Sequence, residues 1–286
     1  MPLVKLDEAL RHAAQAPYAL GAFNVVGIEF AEAILQAAEE LRSPVILSIA
    51  EVHFPYVVPE NIGPSILAMA SRSTVPVVLH LDHGQSLDAA VRALRCGFSS
   101  VMFDGSKLDY EENVRQTGEI VRVCHAAGVP VEAELGAVGG SETGEVVGHA
   151  DPKLYTAPEQ AGDFVSRTGV DALAVAIGNV HGKYRGDPCL DFDRLAAIAR
   201  VTGKPLVLHG GSGIPDRDMR RAIDLGIRKI NVYTAMSQAA LQSARAFLGK
   251  PQEAYHDYPA LLGEIRRSVA QVVGEHIRIF GSCGQA

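Results

Sequence analysis

Three histidines, His83, His181 and His209, each stand just past an apolar run that reads as a β-strand, and Asp82 precedes the first of them. The runs are PVVLHL at 76–81, DALAVAI at 171–177 and KPLVL at 204–208. Three neutral imidazoles meeting at one point hold a catalytic divalent metal, most often zinc, with one coordination position left open. Asp82 adds a carboxylate that can move protons beside such a metal. A lone histidine at a strand end is more often structural than ligating. Here the placement recurs in HLDHG, AIGNVHG and LVLHGGSG, which points to metal-assisted chemistry.

Such residues converge only if the strands that carry them end at one place. In a parallel α/β barrel the C-terminal strand ends ring a single mouth, so residues far apart in sequence meet there. Eight strand-like runs occur, at 18–25, 43–49, 75–81, 99–104, 129–135, 171–177, 204–209 and 228–233. Amphipathic stretches such as 29–41, 110–128 and 216–226 lie between them. The strands are near-continuous apolar runs, as expected for a parallel sheet buried on both faces. The expected fold is a (β/α)8 TIM barrel formed as one domain over residues 1–286, since such barrels run to about 250 residues.

Two segments depart from regular spacing. The connection that begins GAVGGSETGEVVGHADPKLYTAPEQ at 136–160 far exceeds the usual βα connection of about 2–6 residues, and reads as a lid over the mouth. The stretch 252–280 follows the eighth helical segment. It reads as a C-terminal helical extension that either caps the barrel or meets a neighbouring subunit.

Composition excludes several functions. A formal charge of −7 and a pI near 5.8 argue against non-specific nucleic-acid binding, which needs a basic footprint. The opening MPLVKLDEAL lacks the long apolar core of a secretory leader, and no stretch approaches a membrane-spanning length. Cys96, Cys124, Cys189 and Cys283 form no C-x-x-C pair and read as reduced thiols of a cytoplasmic enzyme.

Further carboxylates cluster near the proposed mouth. Glu132 and Glu134 are two apart on one strand and so share a face. Glu134, nearer the rim, is the better auxiliary metal group. Asp104 ends the fourth strand and could act similarly, although its D-G pair also suits a turn. HGGSGIP at 209–215 and NVYT at 231–234 follow strands seven and eight, the usual barrel phosphate site. There glycine N–H groups can approach an anion, while Ser212 and Thr234 donate from their side chains. Lys229 could form an imine, but it starts its strand and leaves the histidines unexplained.

In order and spacing, HLDHG, VMFDGS, VEAELGxxGGxE, AIGNVHG, LVLHGGSGIP and KINVYT resemble the class II, zinc-dependent ketose-bisphosphate aldolases, over essentially the whole chain. That family contains fructose-1,6-bisphosphate and tagatose-1,6-bisphosphate aldolases, and the lack of large insertions is similar to its shorter branch. The resemblance implies a zinc ion on His83, His181 and His209, with Glu134 and Asp104 at acidic positions beside it and room for a second metal site. It implies that Asp82 acts at the C4 hydroxyl of the sugar. It also implies that Glu142 is the mobile carboxylate moving protons at the dihydroxyacetone phosphate carbon.

Gly182, Gly210, Gly211, Ser212, Asn231 and Thr234 match the surroundings of the first phosphate and ketone. Asn24 and Ser48 match substrate contacts at strand ends, and Arg266 is similar to a C-terminal arginine for the distal phosphate. A monovalent Na+ or K+ near the phosphate and a homodimer or homotetramer are implied as well. The chain departs from the family pattern at Thr143, Tyr233 and Ala235, where acidic or small residues are usual. Two other readings compete: a non-catalytic companion subunit, which should lack the ligands kept here, and a different sugar-phosphate enzyme of the same fold, such as an epimerase or a Schiff-base aldolase.

Overall fold

The computed structural model describes residues 2–140, 146–147, 151–184, 186, 188–249 and 257–286. Eight parallel strands close into a barrel: β1 (Leu20–Asn24), β2 (Val45–Ala50), β3 (Val77–Gly84), β4 (Ser100–Phe103), β5 (Val131–Leu135), β6 (Ala172–Val175), β7 (Leu206–Leu208) and β8 (Ile227–Val232). Neighbours in the barrel follow chain order, and β1 pairs with β8 to close it. All eight expected strands are present, most of them shorter at one or both ends than the apolar runs that predicted them. The helices Ile28–Glu40, Tyr110–Ala126 and Asp216–Asp224 fall where the amphipathic stretches place them.

Alternation along the strands sorts side chains between two cores. Phe23, Leu47, Leu79, Val101, Leu173, Leu208 and Ile230 join the larger cluster that the surrounding helices cover. Leu20, Ala22, Ile46, Val78, Met102, Ala172, Ala174 and Val207 fill the interior, together with Leu6, Leu10 and Ala13 of the helix Leu6–Ala14. That helix plugs the N-terminal end of the barrel, where Pro2 and Val4 hydrogen-bond to Val77 at the start of β3. Farther along the same inward rows come Asn24, Ser48, Asp82, Glu134, His209 and Asn231, all buried. The interior therefore changes from apolar to polar toward the mouth.

Among the described residues the C-terminal segment does not cover the opening. Its helix, Tyr258–Phe280, packs on the barrel's flank against the helices Ile28–Glu40 and Thr234–Leu248. The chain end then returns to residues 41–43 through Gly284 N to Leu41 O, Ala286 N to Arg42 O and Ser43 Oγ to Ser282 Oγ. Among the described residues no helix is long and apolar enough to cross a membrane, and the four cysteines are free thiols.

Candidate metal centre and substrate mouth

The rings of His83, His181 and His209 converge. Ring centroids are 4.9 Å apart for His83 and His181, 4.5 Å for His83 and His209, and 5.7 Å for His181 and His209. One nitrogen from each lies within 4.8 Å of the others. Each ring reaches this point differently. His209 follows β7 directly. His181 stands in the loop after β6, where its N–H donates to Gly139 O at 2.7 Å.

His83 is the least expected of the three. Asp82 already points inward from β3, so simple alternation would turn His83 outward. Instead His83 has φ +46°, in the left-handed region that non-glycine residues rarely adopt. The pairing of β3 with β4 also shifts register between Leu81 and Gly84. An irregularity of this kind re-aims a side chain, and here it brings consecutive residues to one site.

Carboxylates fix two of the rings. His83 Nδ1 lies 2.8 Å from Asp104 Oδ2, and Asp104 is itself held by the backbone N–H and hydroxyl of Ser106 at Oδ1. His209 Nε2 lies 3.0 Å from Glu132 Oε1. An ionised carboxylate only accepts, so the bonded nitrogen carries the proton and the other offers its lone pair. Burial holds the pKa of His181 well below, and that of His209 below, the ordinary imidazole value, and the neighbouring rings act in the same direction. Neutral imidazoles are the ligating form.

Asp82 is fully buried and gripped from two sides. Asn24 Nδ2 donates to its Oδ2 at 2.8 Å, and Asn231 Nδ2 donates to its Oδ1 at 2.8 Å. Burial alone would raise its pKa, but the imidazoles of His83 and His209 and the Lys229 ammonium outweigh that and hold the carboxyl well below its usual range. Glu134 behaves oppositely: burial, reinforced by the charge of Asp104, raises its pKa well above the carboxylate range. Its Oε2 is buried without a hydrogen-bond partner, as is His209 Nδ1. Glu134 Oε2 stands 4.0 Å from His83 Nδ1, and His83, Asp104 and Glu134 form a second group with metal-ligand spacing. Unpartnered Glu134 Oε2 and His209 Nδ1, beside neutral imidazoles, fit a divalent cation.

Two recesses flank the histidines. One, of about 300 Å³, is lined by Asn24, His181, Gly182, Gly210, Ser212, Asn231, Tyr233 and Thr234. It gathers most of the residues expected around a phosphate at the start of the helix Thr234–Leu248. Gly210 has φ +66°, and a Cβ there would collide with Val180 O, so this glycine serves the fold as well as the recess. Gly211 lies behind the lining, packed on Ile230 and Asn231 O. Ser48 sits on β2 beside Asn24, its hydroxyl buried and unpartnered. The other recess, an open cleft of about 890 Å³, includes His83, Asp104, Lys107, Glu134 and His181.

One expected residue, Arg266, is not brought to this mouth. Arg266 Nη1 bonds Glu32 Oε2 at 2.9 Å on the flank, with both side chains nearly half exposed. The helix carrying Arg266 packs along the barrel side, so in a single chain its guanidinium is directed to a surface carboxylate. Glu142 lies outside the described residues. The segments flanking it are tied to the His181 loop, through a bridge between Gly139 and Val180 and pairing of Val146 with Lys183.

The two-residue spacing of Glu132 and Glu134 puts both on the inner face but does not single out Glu132. Tyr233 also meets His53, with ring centroids 4.8 Å apart. His53 comes from the turn after β2, and sequence spacing carries no signal for that meeting.

Comparison with known proteins finds similar chains along the whole length. The family described as fructose-bisphosphate aldolase class-II matches residues 4–285. A probable fructose-bisphosphate aldolase of Bacillus subtilis is 43% identical, with both chains covered in full. The fructose-bisphosphate aldolase of Geobacillus stearothermophilus is also 43% identical, over 100% of this chain and 99% of that one. Among solved structures, the YdjI aldolase of Escherichia coli K12 superposes with a TM-score of 0.89 at 39% identity, covering 99% of each chain.

Proposed function

The chain belongs to the class II fructose-bisphosphate aldolase family, and on that premise we propose that it reversibly splits a ketose 1,6-bisphosphate into dihydroxyacetone phosphate and glyceraldehyde 3-phosphate. The observation that carries this reading is the meeting of three buried imidazoles with Asp82 beside a glycine-lined recess. The donor set supports zinc as the metal. Three imidazole nitrogens suit zinc, whereas magnesium and calcium prefer oxygen. Zinc held by His83, His181 and His209 supplies Lewis-acid stabilisation of the charge that develops when a C–C bond beside a ketone breaks.

The remaining steps fall to side chains. Asp82, ionised and oriented by Asn24 and Asn231, takes the proton of the C4 hydroxyl as the aldehyde departs. Glu142 returns a proton to the dihydroxyacetone phosphate carbon, a role given by the resemblance and supported by the ties of its flanking segments to the His181 loop. Gly182, Gly210, Ser212 and Thr234 receive the first phosphate, where the helix start adds a favourable dipole. A Na+ or K+ ion beside that phosphate belongs to the same reading. Glu134 and Asp104 steady His83 and offer a second metal position.

A Schiff-base mechanism is disfavoured because Lys229 is fully buried and paired with Glu132. A non-catalytic companion role is disfavoured because the chain keeps every metal ligand and Asp82. We take fructose-1,6-bisphosphate as the main substrate, in line with the relatives' names, and tagatose-1,6-bisphosphate as the second reading. Tyr233, which lines the recess, and Ala235, whose N–H bonds the Ser212 hydroxyl at its edge, favour that second reading. The enzyme is proposed to be cytosolic and a homodimer or homotetramer, which light scattering on the purified protein checks. The deciding assay measures retro-aldol cleavage of both bisphosphates and their monophosphates, with and without added zinc. EDTA should abolish cleavage, and zinc or cobalt restore it. Full activity in metal-free protein would overturn the reading.

A further inference from the structure

Beneath the histidines the barrel holds an ion pair that the aldol chemistry does not use. Lys229 on β8 and Glu132 on β5 both have no solvent exposure. Lys229 Nζ lies 2.9 Å from Glu132 Oε2 and 3.0 Å from Oε1, so one ammonium fixes both carboxylate oxygens. Burying such a pair is costly, and apolar residues of similar volume often stabilise a fold as well or better. Stability therefore does not account for it.

The pair has a third member. Glu132 Oε1 meets His209 Nε2 at 3.0 Å, while His209 Nδ1 is buried and lacks a hydrogen-bond partner. His80, the other imidazole nearby, bonds Ser100 Oγ through Nδ1 at 2.8 Å and keeps its Nε2 3.7 Å from Glu132 Oε2. It does not compete for Oε1. A neutral imidazole carries one ring proton, and a carboxylate can only accept it. The chain Lys229–Glu132–His209 thus places that proton on Nε2 and leaves the buried, unpartnered Nδ1 lone pair to ligate.

We infer that Lys229 and Glu132 are positioning residues that lock the tautomer and ring direction of His209 and thereby set the divalent-metal affinity of the site. The inference rests on the metal-centre reading above, but the two can fail separately. Partners of ligating histidines typically contribute about 10–100-fold in metal affinity. The test uses Zn2+ alone, titrated against a competing chelator, on the full-length native chain, on Glu132→Gln and on the double variant Glu132→Leu/Lys229→Met. The double variant removes both charges at once, so no lone ion is left buried. Its zinc dissociation constant should rise about 10–100-fold. Glu132→Gln, which keeps an acceptor, should lose less.

Nitrogen-15 spectra of histidine-labelled, metal-free protein supply a readout that general loosening would not mimic. Native His209 should carry its proton on Nε2, and the double variant should show a mixture of tautomers. An affinity within twofold of native, or an unchanged His209 tautomer, in the double variant overturns the inference. If the native chain binds no zinc, the metal reading falls, and the tautomer measured without metal still decides whether Lys229 and Glu132 act on His209.

Discussion

Asn231 Nδ2 reaches Asp82 Oδ1 at 2.8 Å, joining β8 to β3 across the barrel interior. The two residues are 149 positions apart in sequence. The bond leaves the carboxylate ionised and aimed, and the opposite oxygen is held in the same way by Asn24. Asp82 therefore has little rotational freedom.

Asp82→Ala should cut C–C cleavage by about 10²–10⁴-fold, the usual cost of losing a general acid–base group. Proton exchange on dihydroxyacetone phosphate should survive, because the proposed mechanism assigns that carbon to Glu142. Tritium exchange measured alongside cleavage checks this division. Equal loss of both activities would reject it. Asn231→Ala should lower kcat less than Asp82→Ala and also raise KM, since Asn231 lines the recess as well.

Gly210→Ala should hurt both folding and binding. The added methyl meets Val180 O in the loop that carries His181, and φ at this position is left-handed. We expect a lower Tm together with a higher KM for the bisphosphate, measured by thermal melts and steady-state kinetics.

Arg266→Ala should change kcat/KM less than about threefold if each chain acts alone, because an exposed ion pair such as Arg266–Glu32 contributes little. A large rise in KM, confined to the bisphosphates and absent with monophosphates, would place this arginine at the mouth of a neighbouring chain.

Stability of the metal-free protein should fall as pH drops from 7 to 5. Burial, reinforced by Lys229, lowers the His80 pKa to about 3, so the folded state keeps this ring neutral. The unfolded chain protonates it below about 6.5 and so binds more protons, which makes stability rise with pH. For His80 the loss at pH 5 is about 2 kcal/mol. Glu134 works in the opposite direction, since its raised pKa favours the folded state at low pH. Comparing the pH dependence of unfolding in the native chain and in His80→Asn isolates the histidine: the variant should show the shallower slope. Parallel curves would reject the assignment.

Ala235→Asp should sharpen discrimination between fructose- and tagatose-1,6-bisphosphate. It restores a carboxylate beside Thr234, at the edge of the recess that Tyr233 walls. The ratio of kcat/KM values for the two sugars, before and after the substitution, is the measurement. An unchanged ratio would cut the proposed link between this wall and stereochemical tolerance.

Much of this was legible in the residues. Apolar runs located all eight strands because burial on both faces leaves a continuous hydrophobic signature. The strand-end histidines, with Asp82, mark the candidate site, and the three rings converge there. The rest depended on features that have no periodic trace. The turn of His83 inward comes from a backbone irregularity, which the sequence HLDHG does not announce. Arg266 was matched by its motif position, while its direction is set by the packing of the helix Tyr258–Phe280 against the flank. The partnership of Glu132 with His209 needs the closure of the barrel to be seen.

The graded interior has an engineering consequence. Leu6, Leu10, Ile46, Val78, Met102 and Val207 pack toward the plugged end, below the polar layer that faces the mouth. Cohesion and reactivity are thus entrusted to different storeys of one cylinder. Repacking the lower storey can raise heat tolerance while turnover stays as it is. Exchanges in the upper storey, where polar groups hold one another in place, disturb several partners at once. Laboratory selection for robustness should accumulate changes at the base, and selection for new aldehydes should accumulate them at the rim.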